Sequence, residues 1–168
     1  IGSVSTSQYG EVFKFDANIS LDEDVKDHQD LINLLSQNDN TNAYGSLQIE
    51  PATYEENGSE KTLEIYIPMS DDFNQFISIH DRTSKESYQL SDKGVIMSEK
   101  LASRLNAEIG DLITIKNQDE KSAQLKVEGI CENYVGHIIY MTPSYYEESF
   151  NEKTQVTNIL VDMQEVDE

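Results

Sequence analysis

A chain of 168 residues with 37% apolar side chains has the size of one ordinary domain around a single core. Its 32 acidic and 12 basic residues leave a formal charge of −20, which repels a nucleic-acid backbone and argues against lying flat on anionic lipid headgroups. No run approaches the roughly 20 consecutive apolar residues of a spanning helix, residues 1–10 lack a signal-peptide pattern, and the lone Cys131 excludes an internal disulfide and reads as a small buried apolar residue.

Over residues 9–21, Tyr9, Phe13, Phe15, Ala17, Ile19 and Leu21 alternate with Lys14, Asp16 and Asn18, a period of two that predicts a long half-buried strand. Ser20 and Glu23 have capping-box spacing, and Val25, His28, Leu31, Ile32, Leu34 and Leu35 follow at helical spacing, so a helix is expected to about Ser36. Tyr44, Leu47 and Ile49 suggest a second strand stopping before Pro51. Asn57-Gly58 tolerates positive φ and precedes the alternating Leu63, Ile65 and Ile67, which predicts a hairpin. Asp71-Asp72 is expected to cap a short helix through Phe73 and Phe76, before a polar loop over 81–86.

The last part is more regular. Val95-Ile96-Met97 reads as a strand, and Ser98 caps a helix with Leu101, Ala102 and Leu105 on its apolar face. Leu112, Ile113 and Ile115 should pair antiparallel with Ala123, Leu125, Val127 and Ile130. A strand over 138–141 leads into Thr142-Pro143, an N-cap followed by proline at the first helical position, with Met141 and Tyr146 at staple spacing; Ile159, Leu160 and Val161 form a final strand. The sum is an α+β fold with about three helices and a mixed, mainly antiparallel sheet or sheets. It is read as one domain over 1–168, with a division into two lobes kept open: a strand-helix-hairpin part over 9–90 and a compact β-rich part over 91–150.

Catalytic signatures are missing from the sequence. There is no dinucleotide or phosphate loop, no Gly-x-Ser-x-Gly elbow and no zinc-binding pair, and His28, His80 and His137 have no ligand spacing. Asn38-x-Asn40-x-Asn42 imitates the start of a calcium loop, but Ala43 replaces the required glycine and Ile49 the closing glutamate, so it reads as a polar loop. Asp22, Glu23, Asp24, Asp27 and Asp30 suit the start of a helix as a solvated face. No catalytic, metal or cofactor residue is assigned, although so many carboxylates leave a chance acid pair open. The candidate partner-binding residues are aromatic: Tyr134, Tyr140 and Tyr145, with His137 and the Gly136 bend between them.

Residues 94–150 resemble the extracellular domains of FtsX-like permeases of Gram-positive bacteria, relatives of the MacB-type periplasmic core. The resemblance is carried by Val95-Ile96-Met97-Ser98-Glu99-Lys100-Leu101-Ala102, by Gly110-Asp111-Leu112-Ile113, by Val127-Glu128-Gly129-Ile130, and above all by Glu132-Asn133-Tyr134-Val135-Gly136-His137-Ile138-Ile139-Tyr140-Met141 followed by Pro143 and Tyr146. Gln8-Tyr9-Gly10-Glu11-Val12-Phe13-Lys14-Phe15-Asp16 is similar to the family's first strand leaving the membrane. The resemblance implies a MacB-like periplasmic-core fold on the outer face of the cell membrane, inserted between two transmembrane helices and coupled to them and to a cytoplasmic ABC ATPase that uses the ATP. It implies a protein, peptide or lipid ligand and no catalytic residues of the domain's own. The rival expectations are a free secreted or lipoprotein-like ligand-binding domain, and a hydrolase with an acid pair.

Overall fold

The computed structural model describes residues 4–5, 12–21, 28–71 and 73–163. In chain order these form β1 (Val4–Ser5), β2 (Ala17–Ser20), α1 (His28–Gln37), β3 (Thr41–Glu56), β4 (Ser59–Pro68), one 3-10 turn (Phe73–Gln75), β5 (Val95–Ser98), α2 (Glu99–Leu105), β6 (Leu112–Lys116), β7 (Ser122–Cys131), β8 (Ile138–Tyr140), α3 (Pro143–Phe150) and β9 (Asn158–Met163). The α+β class holds, with three helices and nine strands among the described residues. Pairing is mainly antiparallel, with parallel ladders at β4–β8 and β5–β7.

The chain divides into two compact units, and the boundary differs from the expected 9–90 and 91–150 lobes. One unit takes Ile1–Leu47, Met69–Ser78 and Gln155–Glu168; the other takes Gln48–Pro68 and Ile79–Thr154. The hairpin therefore joins the later β-rich part, while β9 returns to the earlier strands. Sheet pairing overrides order along the chain, because β9 finds its hydrogen-bond partners in β2 and in the first part of β3.

In the first unit β1, β2, β9 and the first part of β3 make consecutive antiparallel pairs. The long strand expected over 9–21 is reduced to Ala17–Ser20; Phe13 makes only an isolated bridge with Ile77, and residues 9–11 lie outside the described residues. The alternation holds over 13–16, where Phe13 and Phe15 are buried and Lys14 and Asp16 exposed, but not beyond it: Val12 is buried beside Phe13, and residues 17–21 are all half-buried. Ser20 ends β2, while Glu23 of the expected capping box, Val25 and the acidic Asp22, Asp24 and Asp27 lie outside the described residues, as does the His28 side chain. Phe73 and Phe76 are buried as expected around a 3-10 turn, and Gly45 lets the Phe76 ring approach, for a Cβ there would stand 2.6 Å from it.

In the second unit the ladder runs from the second part of β3 through β4, β8, β5 and β7 to β6. A single Thr53–Lys116 pair brings β6 back to β3 and closes the six strands into a ring. Glu60 reinforces that seam, accepting from Thr53 Oγ1 at 3.0 Å and pairing with Lys116 Nζ at 2.7 Å. Strand β7 alternates as read: Ala123, Leu125 and Val127 are buried and their neighbours point outward. Strand β5 lies between two neighbours and is buried throughout. Helix α2 covers β5 and β7, and α3 covers β7 and β4.

Two local readings change. Strand β3 does not stop at Pro51 but runs through it to the Asn57-Gly58 turn, whose φ angles of 52° and 81° fit a tight hairpin. Pro51 is tolerated because β3 has left β9 after Leu47 and meets β6 only at Thr53, so the missing N–H falls where one edge has no ladder partner. Ser98 occupies the N-cap of α2 with extended backbone, yet its hydroxyl accepts the Ile138 N–H at 3.1 Å instead of capping. Thr142 does cap α3, accepting from the Tyr145 N–H at 3.1 Å.

Candidate functional site

The segment between β7 and β8 concentrates the features expected of a recognition loop. Strand β7 ends in Cys131, and the next two residues, Glu132 and Asn133, are buried; Tyr134 and Val135 then emerge at 47% and 42% exposure. Gly136 turns the chain at a φ of +75°, a region that favours glycine. Asn133 closes the loop from inside, its Nδ2 donating to the Val135 carbonyl at 2.8 Å.

Glu132 anchors the loop. Its Oε2 accepts from His80 Nε2 at 2.5 Å and from Lys85 Nζ at 3.3 Å, while Oε1 accepts the Tyr134 hydroxyl at 2.5 Å and lies 3.2 Å from an Arg82 guanidinium nitrogen. Its backbone N–H donates to the His80 carbonyl at 2.9 Å. A carboxylate this buried is tolerated only with full pairing, and the bonds from Tyr134, His80 and Lys85 hold its pKa down to about 2 against the effect of burial. The bond to Glu132 raises the Tyr134 hydroxyl pKa above its ordinary value.

Arg82 ties the same loop to α2. Its Nε donates to Glu99 at 2.9 Å and its Nη2 to the other Glu99 oxygen, while the guanidinium sits 5.2 Å from the centre of the Tyr134 ring. From α2, Lys100 Nζ donates to the Tyr134 carbonyl at 3.1 Å. The Tyr134 ring is thus held with its face against a cation and its hydroxyl on a fixed carboxylate, which limits the entropy lost when a partner binds.

The four expected partner residues do not form one surface. Tyr134 is exposed and His137 half-buried, its ring edge-on to Tyr54 at 6.4 Å. Tyr140 is 1% exposed, packed in the sheet 5.6 Å from the Tyr66 ring, so it belongs to the core and not to a binding face. Tyr145 is half-buried, and its hydroxyl accepts the Lys126 N–H at 3.1 Å. The supporting residues His80, Arg82, Lys85, Glu99 and Glu132 escaped the sequence reading. Loop 81–86 looked merely polar, though Asp81 Oδ1 folds it by accepting the Thr83 and Ser84 N–H groups at 2.9 and 2.7 Å.

The chance acid pair left open has a counterpart. Glu50, Asp119 and Glu152 bring carboxylate oxygens within 4.8 Å of one another, a donor set that a hard cation would accept. Glu50 is buried, which pushes its pKa up, and accepts from Gln48 Nε2 at 3.0 Å and the Gln118 N–H at 3.3 Å. The hydrogen bond to Glu152 and the repulsion from its charge push the Asp119 carboxyl above its ordinary range. Glu152 also accepts from Asn117 Nδ2 at 2.7 Å and pairs with Lys121 at 3.4 Å. A neighbouring hollow is lined by Pro51, Thr53, Asn117, Gln118 and Glu120 and by none of the three. In the calcium-loop imitation, Asn38 Oδ1 accepts the Asn40 N–H and Asn42 donates to Asp162, the bonds of a polar turn.

No protein-family model matches the chain, and no curated protein matches it in sequence. Among solved structures, the extracellular domain of the noncanonical ABC-type transporter YknZ from Gram-positive bacteria superposes with a TM-score of 0.53 and 13% identity, over 82% of this chain and 73% of that one. The chain has the fold of that extracellular domain. The periplasmic region of MacB from Actinobacillus actinomycetemcomitans gives a TM-score of 0.47 and 12% identity, over 81% of this chain and 64% of that one. The likeness to the YknZ domain bears out the fold implied by the resemblance of residues 94–150.

Proposed function

We propose that this chain is the extracytoplasmic domain of an ABC-transporter permease of the FtsX/MacB type, binding a protein, peptide or lipid ligand through the 132–137 loop and coupling it to ATP-driven motion of the transmembrane helices. The observation that carries this reading is the likeness in fold to the YknZ extracellular domain over 82% of the chain. The loop supports the binding half, because an exposed tyrosine and valine are held on a buried carboxylate, Glu132, paired with His80 and with the solvent-facing Arg82 and Lys85. The domain acts as a binding and force-coupling module, not an enzyme, and needs no cofactor of its own; ATP is used by a separate cytoplasmic subunit.

Two measurements test this. The parent gene is expected to encode an apolar span of roughly 20 residues on each side of the domain; an export signal on the N-terminal side alone would instead support a free secreted domain. In the full permease, Tyr134→Ala combined with Val135→Ser is expected to abolish capture of the extracellular ligand while leaving basal ATP hydrolysis unchanged. Unaltered capture by a folded variant would remove the loop from the binding site.

A further inference from the structure

Positive charge is scarce in this chain and unevenly placed. Both of its arginines, Arg82 and Arg104, and two of its ten lysines, Lys85 and Lys100, surround the 132–137 loop. Arg82 and Lys85 are neutralised by Glu132 and Glu99. Lys100 and Arg104 stand four residues apart on one face of α2 with Ser103 beside them, and together with Gly136 and His137 they line an open hollow of about 480 Å³.

Among the described residues, those that line this hollow include no carboxylate. Arg104 is ion-paired with Glu56 at 3.7 Å, longer than a hydrogen bond, and its side chain is 62% exposed, which leaves guanidinium donors for a second anion. Lys100 uses one of an ammonium's donors on the Tyr134 carbonyl. His137 lines the hollow with its ring, although its Nδ1 is buried. Beside these donors stand the exposed Tyr134 and Val135.

We propose that this hollow seats a single carboxylate, the C-terminal carboxylate of a protein or peptide partner, with the adjoining apolar side chain of that partner resting on Tyr134 and Val135. The inference rests on the partner-binding reading above and names the partner's chemistry. A guanidinium fork matches a carboxylate in a bidentate pair, and the ammonium and hydroxyl supply further donors. A peptide end is favoured over a lipid surface because the formal charge of −20 repels an extended anionic sheet. One isolated anion is governed by the cations within a screening length of roughly 8 Å.

The test is an NMR titration of the whole 168-residue chain with N-acetyl-Ala-Leu-Leu as the free acid, the same tripeptide as its C-terminal amide, inorganic phosphate, and phosphatidylglycerol vesicles. The free acid is expected to shift the Ser103, Arg104, Gly136 and His137 amides and to bind at least about tenfold tighter than the amide. The double variant Lys100→Gln, Arg104→Gln is expected to lose that preference while amides away from α2 and the 132–137 loop stay unchanged. Equal binding of acid and amide, no response to the acid, or a preference surviving in the double variant would overturn the proposal. Phosphate binding as tightly as the acid would reduce the hollow to a simple anion site, and binding to vesicles without binding to the acid would assign it to lipid; either result overturns the peptide end. If the permease's ligand is lost by Tyr134→Ala with Val135→Ser but kept by Lys100→Gln with Arg104→Gln, the loop reading stands and the carboxylate seat falls.

Discussion

Glu132 shows how one side chain turns a loop into a fixed surface. Its carboxyl lies near pH 2 in the folded protein, against an ordinary value of 4.5. A depressed folded-state pKa gives stability that is complete above 4.5 and is lost as pH falls through about 2. Unfolding by urea across that interval should therefore show a steeper loss of stability in the wild type than in Glu132→Gln, and parallel curves would mean that the network contributes nothing. Gly129 makes a second residue-scale case, since a Cβ there would stand 2.5 Å from the Tyr88 ring and 2.8 Å from Ile96. Gly129→Ala should cost about 1–3 kcal/mol in urea unfolding through overpacking; a neutral result would show that Tyr88 moves freely aside. The residues of the site that could be read in advance were those whose chemistry is local, such as Tyr134 and the Gly136 bend. The anchoring partners could not be read, because His80 and Glu132 are 52 positions apart and only the sheet brings them to 2.5 Å.

At the scale of elements, local chemistry predicted best where a side chain acts on its own backbone. Thr142 caps α3 with Pro143 behind it, and Asn57-Gly58 turns the hairpin. Thr142→Ala should destabilise by about 1 kcal/mol by thermal or chemical unfolding, and a change near zero would show that Pro143 suffices to start the helix. Prediction failed where a neighbour decides. Pro51 ends a strand in isolation, but here it lies where one edge of β3 has no ladder partner, and pairing with β4 carries the strand past it. Ser98 has the residue type and backbone of a cap, yet Ile138 N–H takes its hydroxyl. Tyr140 is a candidate partner residue by sequence, but all three side chains of the central strand β8 are buried and its ring packs 5.6 Å from that of Tyr66.

At the scale of the whole molecule the dominant quantity is charge. A formal charge of −20 confined to a folded chain opposes compaction, and salt screens it. The melting temperature should therefore rise as sodium chloride increases from about 0.01 to 0.15 M, over which the screening length falls from roughly 30 to 8 Å. A falling melting temperature would mean that exposed pairs such as Lys116–Glu60 and Arg82–Glu99 outweigh the general repulsion.

The sequence alone determined the α+β class, the hairpin at Asn57-Gly58, the β6–β7 pairing, the starts of α2 and α3, and the burial rhythm of β7, because each follows from contacts between residues near in the chain or from periodicity along it. Only the tertiary structure decided the division into units, the parallel pairs β4–β8 and β5–β7, the closure at Thr53–Lys116, and the ion pairs beneath Tyr134. Those depend on which distant strands share hydrogen bonds, and a pattern of apolar positions fixes which face is buried without naming the strand that covers it.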